Sequence, residues 1–118
     1  MSLTTILLAA VLVSSASPGD EERSVEGTLV DQKCAPFYQE SAADLPAHGK
    51  RCALGCRESG YGVMVGRKYI SFNSQGSRLA EEWLEKTTKE TDLRVVVIFV
   101  LDSASQSYTV KSINNPRE

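Results

Sequence analysis

One run, residues 93–101 (LRVVVIFVL), restricts the folds open to this chain more than any other stretch. It is rich in β-branched and aromatic side chains and apolar on both faces, the pattern of a strand buried in a sheet. It is expected to be the central strand, with the other elements arranged around it. Before it, residues 25–30 (VEGTLV) alternate in period two and read as a half-buried strand. Gly27 inside that strand suggests a bulge or a sharp coil. Residues 61–65 and 68–72 form a pair of strands joined by Gly66 and Arg67, and a leading glycine in a two-residue connection signals a type II′ hairpin. Residues 107–113 (SYTVKSI) supply a last strand that pairs back on the apolar run.

A helix is expected over residues 78–90, capped by Ser77 after the turn 73–76. It sets Leu79, Ala80, Trp83, Leu84 and Thr87 on one face, and Glu81, Glu82, Glu85, Lys86 and Lys89 on the other. Trp83 at that spacing reads as a core residue. The order is therefore mainly β: five strands, with one helix between the third and fourth. That is the connectivity of a small OB-like barrel, in which the loop between strands one and two helps to form the binding face.

All three cysteines and the single histidine fall in that loop, as Cys34-x13-His48-x3-Cys52-x3-Cys56. Residues 35–47 carry Pro36 and Pro46 and little periodicity, and read as a loop with room for one helical turn. Residues 50–59 turn helical and bear Cys52 and Cys56 one turn apart, with Gly60 as the cap. Gly49 and Gly55 weaken this helix by propensity, so tertiary contacts must hold it.

The N-terminus frames the redox setting. Residues 6–13 are an apolar run of eight, too short to span a bilayer, which takes roughly 20 residues. Ser14, Ser15 and Ala16 follow, so residues 1–16 read as a cleaved signal peptide, although no basic side chain precedes the run. Residues 17–24 read as a disordered leader, 25–113 as the OB-like domain and 114–118 as a tail. Cleavage leaves roughly 100 residues, one domain by size, with a core thin enough that a staple would help. The expected location is periplasmic or secreted, with no transmembrane segment after cleavage.

The formal net charge of −2 argues against broad nucleic-acid binding. Lys50, Arg51, Arg57, Arg67 and Lys68 nevertheless cluster around the cysteines, either as a solvated face or as a rim that attracts anions. The residues 27, 29–31, 34, 52, 56 and 60, followed by the Gly-Arg-Lys-Tyr hairpin, resemble a group of small secreted bacterial OB-type domains of largely unknown function. The similarity covers roughly residues 25–113. It implies the fold and export, and it implies no activity.

Three chemistries compete for the cysteine segment. A disulfide suits an exported protein, and helical geometry disfavours Cys52–Cys56, which leaves Cys34–Cys52 or Cys34–Cys56. A metal centre would use Cys34, Cys52 and Cys56 with His48, a set suited to zinc or copper. His48 can join only if it precedes the helix and folds back. Thiol-redox chemistry comes third, because C-x3-C is not the C-x2-C of thioredoxin-like proteins. One histidine makes no hydrolase triad, and no Gly-rich phosphate loop is present. The reading is an exported binding or accessory module, not an enzyme. It takes a soft metal, or else it is a disulfide-stapled module whose basic rim meets an anionic ligand or a protein partner.

Overall fold

A single five-stranded antiparallel sheet in the order β3-β2-β1-β4-β5 organises the computed structural model, which describes residues 21–102, 104–105 and 107–117. The expected signal peptide and the first half of the expected leader lie outside the described residues. The strands are β1 (Glu21–Asp31), β2 (Tyr61–Val65), β3 (Lys68–Ser71), β4 (Arg94–Asp102) and β5 (Ser107–Asn114). Between β1 and β2 lie α1 (Ala35–Glu40), a 3-10 helix (Ala42–Ala47), α2 (Lys50–Gly55) and a second 3-10 helix (Arg57–Ser59). A longer helix, α3 (Ser74–Lys86), joins β3 to β4.

β1 holds the central position, not the apolar run of β4. Its 11 residues pair with β4 from Glu21 to Thr28 and with β2 from Thr28 to Asp31. β4 is interior but lies one place further out, and only its Val95, Val97 and Phe99 face is fully buried. The strand also starts four residues earlier than its hydropathy indicates. Residues 21–24 are exposed, and they are strand because their backbone pairs with β4, with Lys111–Glu22 and Arg23–Glu21 ion pairs on the surface.

Gly27 is not a bulge. A Cβ there would stand 2.5 Å from the Met64 carbonyl oxygen and 2.7 Å from Val63 Cγ2, so glycine lets β1 coil closely over β2. The irregularity lies instead between β4 and β5, at Ile98/Phe99. Gly66 takes φ 61°, as the first position of the expected hairpin requires.

The sheet does not close into a barrel: β3 and β5 are its two edges. β3 is only four residues long, and α3 packs against both β5 and β2. α3 itself begins and ends four residues before its expected bounds. Asn73 caps it by accepting from the Gly76 N–H at 2.9 Å, while Ser77 Oγ, the expected cap, accepts from the Tyr61 N–H at 3.0 Å. Trp83 is half-buried against the core, with Nε1 donating to Asn115 Oδ1 at 3.0 Å.

Strand alternation divides the apolar side chains between two faces. Leu29, Tyr61, Val63, Val95, Val97, Phe99 and Val110 meet Ala80 and Leu84 of α3 in the main core. Val30 and Met64 point the other way, where Ala35 and Leu45 of the cysteine segment cover them.

Candidate functional site

The chain between β1 and β2 wraps the end of the sheet, with α1 and the first 3-10 helix on one face and Ala53 of α2 in the main core on the other. Backbone bonds fasten it to the α3–β4 connection. Lys50 N–H donates to the Glu90 carbonyl and Asp92 N–H to the Pro46 carbonyl, both at 2.9 Å. Tyr61, solvent-inaccessible, donates its hydroxyl to the Ala53 carbonyl at 2.7 Å. Burial, reinforced by the charge of Glu81, pushes that phenol up to about 12.

At the turn of this wrap lies a buried polar group built on Asp31, the last residue of β1. Asp31 has no solvent exposure and His48 only 3%. His48 Nε2 lies 3.0 Å from Asp31 Oδ1, and Asp31 Oδ2 accepts from the Cys34 N–H, also at 3.0 Å. Burial alone would raise the Asp31 carboxyl, but hydrogen bonds from His48 and from Cys34 outweigh it and hold the group below its ordinary 3.8. An ionised carboxylate only accepts, so Nε2 carries the proton and Nδ1 is the ring nitrogen left free of this bond. Tyr38 of α1 packs edge-on against the imidazole, with ring centroids 5.0 Å apart.

Cys34 completes the group. Ligand atoms of Asp31, Cys34 and His48 all lie within 4.8 Å of one another. Burial, and then the hydrogen bond to Asp31 and its negative charge, push the Cys34 thiol up to about 11. At neutral pH the thiol is therefore protonated, which removes the depressed pKa that a nucleophilic or redox thiol needs.

The structure brings Cys34 and His48 together, with His48 placed before α2 and folded back. Cys52 and Cys56 stand outside that group. Cys52 is exposed on α2 and Cys56 half-buried at its C-cap, and all three cysteines are free thiols. The basic residues do not converge on the site. Lys50 Nζ donates to the Thr87 carbonyl at 2.9 Å, Arg57 pairs with Glu81 at 3.2 Å, and Arg67 and Lys68 sit on the hairpin.

Asp31 lies outside the Cys-His motif, at the end of β1. Its signal is the spacing Asp31-x2-Cys34, which lets a carboxylate accept from the N–H three residues on, as at a helix start. Comparison of the chain with known protein families, with curated proteins and with solved structures finds no match in any of the three.

Proposed function

We propose that this protein is an exported binding module that takes a zinc ion at Cys34, His48 and Asp31. The observation that carries the reading is the convergence of a thiol, an imidazole and a carboxylate within 4.8 Å at a buried position. Ligands around tetrahedral zinc stand about 3.3–3.8 Å apart, given bonds of about 2.0–2.3 Å, so a contraction of about 1 Å suffices. A metal in place of the thiol proton would relieve the cost that the Asp31 charge imposes on a Cys34 thiolate. Asp31 would either ligate directly or keep its bond to Nε2 and present Nδ1, the carboxylate–histidine arrangement of many zinc centres. A carboxylate favours zinc over monovalent copper, which prefers an all-soft set. Cys52 and Cys56 are then auxiliary thiols.

The strand order, together with a helix between the third and fourth strands, supports an OB-like barrel left open between β3 and β5, as in the secreted domains the sequence resembles. Export is supported by the apolar run at residues 6–13 and the small residues after it. No helix among the described residues is long and apolar enough to cross a membrane.

A second reading is a disulfide staple from Cys34 to Cys52 or Cys56, which the oxidising setting of an exported protein would favour and for which all three thiols are free. Zinc competition on reduced protein separates the two. One ion per chain is expected, with affinity lowered at least about 100-fold by Cys34→Ser or His48→Ala and little changed by Cys52→Ser. Absence of zinc binding, together with one free thiol in protein isolated without reductant, would favour the staple.

A further inference from the structure

Away from the cysteine segment, a cleft of about 510 Å³ is lined by residues of β1, β3, β4 and β5. Its floor is Val25, Ile70 and Phe99, and Tyr108 of β5 stands on its far rim, edge-on to Phe99 with ring centroids 6.0 Å apart. Two exposed cations, Arg23 and Lys68, border it. The volume is that of a ligand site.

All four residues of β3, Lys68 to Ser71, line this cleft. Successive side chains of a strand point to opposite faces, so four consecutive lining residues mean that the cleft runs along the edge of β3. That edge is one of the two unpaired edges of the sheet. The register shows which backbone groups it offers. In the two-residue hairpin, Lys68 and Ile70 oppose Val65 and Val63, and Phe72 N–H donates to the Tyr61 carbonyl at 2.8 Å. Positions 68, 70 and 72 therefore bond inward to β2, and Tyr69 and Ser71 present their N–H and C=O groups outward to the cleft.

We propose that this cleft binds an extended peptide as a sixth strand on β3, by backbone pairing at Tyr69 and Ser71. Side chains of the added strand would alternate, and those facing inward would lie over Val25, Ile70 and Phe99 and then reach Lys68 and Arg23. The partner is thus a segment with apolar and acidic residues two apart on one face. Lys68 has no carboxylate partner among the described residues, and the Arg23 pair with Glu21, at 3.5 Å between exposed side chains, is readily exchanged. An anionic amphiphile would suit the floor and the cations but would make no use of the outward amides. The proposal does not depend on the metal centre.

The test uses the peptide acetyl-Thr-Val-Thr-Glu-Thr-Val-amide with the full chain. Saturable binding is expected, with slowed amide exchange at Tyr69 and Ser71. The double variant Arg23→Glu/Lys68→Glu, both positions exposed and outside the core, should bind at least tenfold more weakly with unchanged thermal unfolding. A peptide N-methylated on its backbone, or carrying lysine for glutamate, should lose binding to a similar or greater extent. Equal binding of the N-methylated peptide would overturn the strand-pairing claim, and equal binding of the lysine peptide would overturn the acidic preference. Failure of the peptide to bind, or saturation of the cleft by dodecanoate with no competition from the peptide, would overturn the proposal as a whole.

Discussion

The two faces of the sheet near its β1–β2 end are held by different means. On the α3 side, twelve buried residues from four strands, two helices and the chain between them form one cluster, and the loss of any one leaves many neighbours in place. On the side of the cysteine segment the cluster has only four, Val30, Ala35, Leu45 and Met64. Apolar area at that scale supplies little, at about 1.5–3 kcal/mol per fully buried aliphatic side chain before ordering costs. The second face depends instead on the Asp31 carboxylate, which gathers the N–H of Cys34 and the ring of His48. Burial of area tolerates substitution and pH change, whereas one buried carboxylate with two partners does not. A polar group in that position is also the kind of structure that a metal ion can take over.

The largest effect should come from the area-held face. Val97→Asp places a carboxylate at a fully buried site with no partner, and should unfold the whole domain by costing several kcal/mol. Loss of cooperative thermal unfolding would show it, and a wild-type transition would mean that the main core lies elsewhere.

Next is Asp31→Ala, which leaves a buried imidazole without its acceptor and the Cys34 N–H with only the main-chain carbonyl of residue 31, at 3.2 Å. A cost of about 3 kcal/mol is expected. The comparison predicts where the damage falls: amide exchange should accelerate across residues 34–48 and stay near wild type at Val95 and Val97. Uniform acceleration in both places would erase the distinction between the faces.

The smallest effect is a pH dependence confined to the cysteine side. The Asp31 carboxyl is held below its unfolded value of 3.8, so its contribution is complete above that value and is lost as pH falls toward the lower folded value. Cys34 has the opposite sign. Its thiol is raised from 9.0 to about 11, so the folded state favours the neutral form, and that contribution is lost as pH rises from 9.0 toward 11. Exchange at residues 34–48 should therefore be slowest between about pH 4 and pH 9 once the intrinsic rate is divided out. Val97 should show neither limb between about pH 4 and pH 10, above which the raised Tyr61 phenol of the main core brings its own loss.

Much of the area-held face could be read from side chains alone. The β2–β3 hairpin follows from Gly66, the existence of α3 from a period-3.6 pattern, and the strand at β4 from its run of β-branched and aromatic residues. What escaped is what backbone and tertiary bonding decide. The polar start of β1 is strand because β4 offers it partners from Leu101 to Ile98, which side-chain hydropathy does not register. β1 is central because its residues 21–28 pair with β4 and its residues 28–31 with β2, joining the two hairpins, a property that composition does not carry. Ser77 has the chemistry of a cap, but its hydroxyl accepts from Tyr61, 16 residues away. At the site, Cys34 and His48 stand out by rarity and spacing. Asp31 is one of fifteen acidic residues; its spacing to Cys34 marks it only weakly, and burial is what sets it apart.

The central claim is that the metal-binding group is Cys34, His48 and Asp31, and not the three cysteines. X-ray absorption at the zinc edge of the reduced, zinc-loaded protein tests this most directly. The account predicts one sulfur at about 2.3 Å with nitrogen and oxygen neighbours at about 2.0–2.2 Å, and loss of the sulfur shell in Cys34→Ser. A shell of three sulfurs, or a sulfur shell that survives Cys34→Ser, would contradict it.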